Sequence, residues 1–382
     1  MSSRKSSRKH PYGCVSRREF LKVAGAAAGG AVLGGCQPAT PARTVIPSVT
    51  PLYAEPAKVA IARAADYDPA LVRAQAQAVF DSLGGIGDVV KSGDTVAVKV
   101  NLTGGVEAGP PPVMDAAPET YVTHPAVARA VCELLRDAGA AKIYIVESVW
   151  QWSSFVRWGF QEAADYVGAT LIDLNRTVPY SDYAETPVGP DWFIYEKFKF
   201  NHLLEEANAL VSVPKMKCHY LCGITQSMKN LVGLAPFKFY EFKAGDGYRT
   251  GFHGRENETK SRLPRVVMDL NRARPVNLAL IDGIRTVDGS EGPWNMDLTA
   301  KSPGILIGGK NPVSTDAVAV AAMGFDPTAE YPNPPFLRAD NHLNIAYALG
   351  LGSNRLTDIE VVGESLDDVK MKFEPAWGKP EE

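Results

Sequence analysis

Short apolar runs alternate with longer amphipathic segments along most of the chain. The stretches 58–62, 94–100 (DTVAVKV), 142–146 (KIYIV), 170–174, 209–213 (ALVSV), 276–281 and 304–307 have strand length and strand composition. Between them, 69–83, 125–138, 160–167, 223–231 and 311–323 are predicted as helices. Asp68 before Pro69 is a helix start signal. Pro125 opens the second helix and Gly139 follows its end, and Val127, Val131, Leu134 and Ala138 recur at the helical period. Strands alternating with helices predict an α/β fold. Its sheet is largely parallel or mixed, with helices on both faces and long loops at the carboxyl ends of the strands. Residues 101–123 and 233–260 are rich in Gly, Pro or polar residues, and loops of that length are either functional or disordered.

The first 57 residues do not belong to this alternation. Ser16-Arg17-Arg18-Glu19-Phe20-Leu21-Lys22 has the twin-arginine form S-R-R-x-F-L-K, and Arg17 and Arg18 are its export signal. A weakly apolar run follows, too short to span about 30 Å of hydrocarbon as a helix, so it is a signal segment and not a membrane span. Leu33-Gly34-Gly35-Cys36 then has the form of a lipobox, with cleavage before Cys36 and lipid on its sulfur. The expected organisation is a signal peptide over 1–35 and the lipidated Cys36 with a Pro-rich tether over 36–57. An α/β domain over 58–362 and a tail over 363–382 complete it. The expected location is the outer face of a membrane, with the twin-arginine translocase and the lipoprotein-processing machinery as partners.

Removing the signal changes the charge picture. Seven of 40 basic and one of 43 acidic side chains lie in residues 1–35, so the rest carries 33 against 42. An acidic mature chain excludes nucleic acid as a partner, because binding it needs a positive footprint. Cys132, Cys218 and Cys222 cannot form a disulfide framework. No C-x-x-C run exists, which excludes a ferredoxin-type iron-sulfur motif. The cofactor is left unknown, with a divalent metal as one option.

Ligands in open α/β sheets bind beyond the carboxyl ends of the strands, and the polar residues after each apolar run are the site candidates. They are Lys99 and Asn101, then Glu147, then Lys215, Lys217 and His219, then Asp282. His124 precedes the second helix. Lys215, Lys217, Lys229 and His219 gather within residues 213–233, and the start of the predicted helix at Gly223-Ile224-Thr225 offers free N–H groups to an anion. Lys215, Lys229 and Asn230 are candidate contacts for a carboxylate or phosphate, and Lys217 and His219 are candidate catalytic groups. His219 serves as a general base, a metal ligand or a structural histidine. Asp282 and Glu291, among glycines, could hold a hard cation or simply face water. The run 150–158, with Trp150, Trp152, Phe155 and Trp158, forms either a pocket wall or core.

Together, V-K-V-N-L at 98–102, the segment T-H-P-A-V-A-R-A-V-C-E-L-L-R-D-A-G-A-A-K-I-Y-I-V-E-S at 123–148, V-P-K-M-K-C-H at 213–219, S-M-K-N-L-V-G at 227–233, I-D-G-I at 281–284, D-G-S-E-G-P at 288–293 and N-P-V-S-T-D-A-V-A at 311–319 resemble the DUF362 family, a domain of unknown function. Cys218 stands where the family commonly has Thr. Some members carry an extra ferredoxin-like module, which this chain lacks. The resemblance implies a fold and site positions, with no established activity. The functional expectation is an extracytoplasmic enzyme acting on a small anionic substrate. The alternative is a solute-binding lipoprotein without catalysis.

Overall fold

A computed structural model describes residues 56–106, 115–246, 249–255, 258–295 and 297–376, all within the unit Ile46–Glu382. The export signal with Arg17 and Arg18, the lipobox Cys36 and nearly all of the tether lie outside the described residues.

The strands β1 (Ala57–Arg63), β2 (Thr95–Val100), β3 (Lys142–Glu147), β4 (Thr170–Asp173), β5 (Ala209–Val213), β6 (Leu278–Gly283), β7 (Ile305–Gly309) and β8 (Ile359–Gly363) form one sheet, in the order β8-β1-β7-β6-β5-β2-β3-β4. β7 alone runs against the others, antiparallel to both β1 and β6. The remaining pairings are parallel. The fold is therefore α/β with a largely parallel sheet. The strands' apolar character does not encode direction, so the reversal of β7 was not legible in its sequence.

Successive strand residues feed two cores, as a pleated strand requires. Val96, Val98, Val211, Leu280 and Leu306 face one side. There they pack with α1 (Pro69–Ser82), α2 (Pro125–Asp137) and α3 (Phe160–Val167). Ala97, Leu210, Ile281 and Ile307 face the other, with α5 (Thr259–Ala273), α6 (Pro312–Ala322) and α7 (His342–Ala348). Burial on both faces explains why these strands are continuous apolar runs. The helix starts follow the expected chemistry. Asp68 accepts from Leu71 N–H at 2.9 Å and Asn311 from Ser314 N–H at 3.0 Å, with Pro just inside each helix.

Residues 223–231 depart from the predicted helix. Gly223–Ile224 pairs antiparallel with Cys218–His219, and Thr225 N–H donates to the Lys217 carbonyl at 3.0 Å. The helix is only α4 (Ser227–Asn230). The segment after β8 packs on the domain: Phe373 is buried, and Met371 and Phe373 N–H donate to the Ala322 and Met323 carbonyls. No helix among the described residues is long and apolar enough to cross a membrane.

Candidate functional site

The carboxyl ends of β2, β3, β5 and β6 converge on one edge of the sheet, and the predicted polar residues lie there. Most of them are engaged with one another. Lys99, at the end of β2, is buried and donates to Glu147 Oε2 at 2.9 Å, to the Val100 carbonyl at 2.6 Å and to Asn230 Oδ1 at 3.1 Å. Asn230 returns its amide to the Lys99 carbonyl and to Ser212 Oγ, both at 3.0 Å. It thereby ties α4 to two neighbouring strands. Glu147 also accepts from the N–H groups of Leu102 and Ser148. Burial pushes the Lys99 amine down to about 8, against the pull of Glu147. A Cβ at Gly233 would overlap both Glu147 Oε1 and Lys99 Nζ, so the end of S-M-K-N-L-V-G must be glycine for this pair to form.

A second enclosed pair joins β5 to β6. Lys215 Nζ lies 2.6 Å from Asp282 Oδ2, 2.8 Å from Tyr67 OH, 2.7 Å from the Glu119 carbonyl and 3.0 Å from the Arg285 carbonyl. Asp282 also accepts from Tyr67 OH and from His124 N–H, each at 2.9 Å. The His124 ring stacks on Tyr67 at 3.7 Å, and its Nδ1 accepts from Ala126 N–H as the cap of α2. Burial lowers its pKa to about 4.

These contacts show where the structure places the predicted residues. Lys99, Glu147, Lys215 and Asn230 are buried and engaged with internal partners, His124 caps α2 through Nδ1, and none of the five lines the cavity described below. Lys217 is likewise buried, donating to the Tyr121 carbonyl at 2.6 Å and the Glu291 carbonyl at 2.8 Å. Asn101 spans the turn to Thr123, and its buried Oδ1 has no hydrogen-bond partner among the described residues. Asp282 and Glu291 do not meet as cation ligands. Asp282 is committed to Lys215, while Glu291 accepts from Tyr220 N–H at 2.6 Å and Trp294 Nε1–H at 3.3 Å. Among the described residues no three His, Cys, Asp or Glu side chains gather as metal ligands. The start of α4 is also occupied: Asp316 of α6 accepts from Ser227 N–H at 2.8 Å and Met228 N–H at 2.9 Å. The expected anion site at Gly223-Ile224-Thr225 is a hairpin instead, and a buried internal carboxylate takes the N–H groups where the helix does begin.

Beyond this layer lies a cavity of ≈ 480 Å³, within the range of small-molecule sites. The predicted His219, Lys229 and Glu291 line it. So do Arg249, His253 and an aromatic wall of Trp150, Phe237, Phe242 and Trp294. Trp294 fits because Gly104, at φ +67°, lies against its ring; a Cβ there would stand 2.8 Å from the indole. Of the aromatic run 150–158, Trp150 joins the wall and Phe155 is core. Arg249 lies over Phe237 at 4.4 Å and donates from Nε to the Ala235 carbonyl at 2.6 Å, while its Nη2 is buried without a hydrogen-bond partner among the described residues. Lys229 Nζ has neither a hydrogen-bond nor an ion-pair partner among the described residues, and burial lowers its pKa. Burial first, then Lys229, pushes His219 well below the usual imidazole range; the same causes bring His253 to about 4. Both rings are neutral at pH 7.

Sequence reasoning missed Arg249 and named His253 only as a distant member of a possible N/S metal site with Cys218, His219 and Cys222. Both sit in the long loop 233–260, and the one available signal was that loop's length and polarity.

Among proteins of known sequence, the thylakoid-associated protein sll1697 of Synechocystis is 23% identical over 269 residues, which are 70% of this chain and 75% of that protein. Among solved structures, the lactate racemase apoprotein of Thermoanaerobacterium thermosaccharolyticum is 10% identical with a TM-score of 0.38, covering 65% of this chain and 54% of that one. A protein of Thermotoga maritima is 11% identical with a TM-score of 0.37, covering 69% and 61%. The chain thus spans little more than half of each of these two structures. The family model described as "Domain of unknown function (DUF362)" matches residues 96–321. That span takes in the lysines and carboxylates of both enclosed pairs and the whole cavity wall, and the chain belongs to the DUF362 family.

Proposed function

We propose that this protein is an exported, lipid-anchored enzyme whose cavity binds a small carboxylate or phosphate anion. The observation that carries the reading is Lys229. Every other lysine of the predicted cluster has acceptors inside the protein. Lys229 alone among them turns an unpartnered ammonium into the cavity, beside the unpartnered Nη2 of Arg249. A partly buried ammonium with no hydrogen-bond acceptor in range is eased by an anionic ligand that supplies one. The aromatic wall favours an anion with an apolar or planar body. The neutral rings of His219 and His253 supply proton-handling groups next to the bound charge, which a purely solute-binding protein does not need.

The test is thermal stabilisation of the protein by a panel of carboxylates and phosphates, since a ligand of the native state raises the melting temperature. Lys229→Met should lose the stabilisation and Lys91→Met, at an exposed turn, should keep it. His219→Gln retains a donor, so it should keep binding and lose turnover of any substrate the panel identifies. Equal shifts in wild type and Lys229→Met for every anion would refute the site.

The S-R-R-x-F-L-K run and the lipobox at Cys36 support the membrane address. So does the name of the Synechocystis relative, which records association with thylakoids. Arg17→Lys with Arg18→Lys keeps the charge and removes the guanidinium pair; it should block export. Cys36→Ser should leave any cleaved protein removable from membranes by salt, and tight retention after the wash would refute the lipid anchor.

A further inference from the structure

The two histidines of the cavity are held in opposite tautomers. His219 Nδ1 accepts from Leu221 N–H at 3.1 Å. In a neutral ring the proton is then on Nε2, which is a donor. His253 Nδ1 lies 3.0 Å from the Arg249 carbonyl oxygen, which can only accept. The His253 proton is therefore on Nδ1, and its Nε2 is a bare lone pair. Neither Nε2 has a protein partner among the described residues, and both rings border the same cavity. Lys229 Nζ and Arg249 Nη2 add two more unpartnered donors. The one carboxylate on the wall, Glu291, is already accepting from Tyr220 and Trp294. The named cavity groups with no partner at all among the described residues thus comprise three donors and a single acceptor.

We propose that the cavity selects an anion that carries its own O–H or N–H donor. Lys229 and His219 Nε2–H hold the anionic oxygens, and His253 Nε2 accepts from the ligand's donor. An anion without such a group covers the His253 lone pair without pairing it, and a site built this way discriminates against the analogue that lacks the hydrogen bond. This inference rests on the reading of the cavity as an anion site. It is shared by a hydroxy carboxylate and a hydrogen phosphate, which the test separates.

The experiment has two arms, both on the full mature chain. In the first, protein labelled with nitrogen-15 at histidine is examined by long-range proton–nitrogen correlation at pH 7. His219 should show a protonated Nε2 and His253 a protonated Nδ1. In the second, affinities are measured for two matched pairs, phosphate against sulfate and mandelate against phenylacetate. At least one donor-bearing member should bind roughly tenfold more tightly than its partner. His253→Phe should reduce that ratio to near one, while Lys229→Met weakens both members alike. A protonated Nε2 on His253 overturns the inference, as does equal binding within both pairs or a preference that survives in His253→Phe. Equal binding leaves the anion site standing, whereas no binding by any of the four removes the site and this inference together. The nitrogen spectra of wild type keep the test decisive if His253→Phe does not fold.

Discussion

Replacing Lys99 with Met separates support from contact at this site. The side chain is fully buried and its pair with Glu147 is nearly so, at 0% and 6% exposure. Methionine fills a similar volume, so the change acts through charge and hydrogen bonds. Glu147 would keep the N–H groups of Leu102 and Ser148 and lose its only counter-ion within salt-bridge range among the described residues. Removing one partner of a buried pair costs about 3–5 kcal/mol. Unfolding entropy of about 2.1 cal/mol/K per residue over the 308 described residues gives about 0.65 kcal/mol/K, so the melting temperature should fall by about 5–8 °C. Lys99→Met with Glu147→Gln should recover part of that loss, with a coupling of at least about 2 kcal/mol. Thermal unfolding followed by circular dichroism of the wild type, the two single variants and the double variant measures all four terms. Affinity of the folded Lys99→Met protein for anions should stay within a few fold of wild type, since Lys99 does not reach the cavity. A loss below about 1 kcal/mol, or additive single effects, would refute the claim that this pair holds the sheet edge together.

Gly233→Ala should destabilise by a similar amount, because its Cβ displaces the same pair; a melting temperature equal to wild type would refute the tight approach. Asp316 gives a pH test. Burial raises its carboxyl to about 7, despite the Ser227 and Met228 N–H groups that favour its ionised form. Between about 4 and 7 the native state holds this proton more often than the unfolded chain, so this residue's contribution to stability is lost as pH rises. His124, His253 and His342 act in the opposite sense, their pKa values being lowered by burial. The difference between wild type and Asp316→Asn isolates the carboxyl: melting temperatures at pH 5 and 7.5 should move in favour of Asp316→Asn at the higher pH, and a constant difference would refute the shift.

Much of the fold was legible because burial on both faces leaves a continuous apolar run for each strand. Asp68-Pro69, Pro125 and Asn311-Pro312 likewise mark helix starts by local chemistry. The direction of β7 and the hairpin at Cys218–His219 depend on tertiary pairing, which no local pattern carries. The strand-end rule found the right edge of the sheet but could not tell which lysines face a ligand. Lys215 and Lys99 differ from Lys229 only through partners remote in sequence, such as Asp282 and Glu147. The same holds at the start of α4, whose N–H groups are taken by Asp316, 89 residues from Ser227. The tautomers of His219 and His253 are set by single backbone contacts and leave no trace in the sequence.

The central claim is that an anion binds in the cavity at Lys229, and its most direct test is to see one there. Crystals of the mature protein soaked in 4-bromomandelate would locate the ligand by the anomalous signal of bromine. The account predicts a bromine peak against Trp150 and Phe237, with the carboxylate on Lys229 Nζ, and no such peak in crystals of Lys229→Met. Bromine found only on the outer surface, with the cavity holding water at a ligand concentration that stabilises the protein in solution, would contradict it.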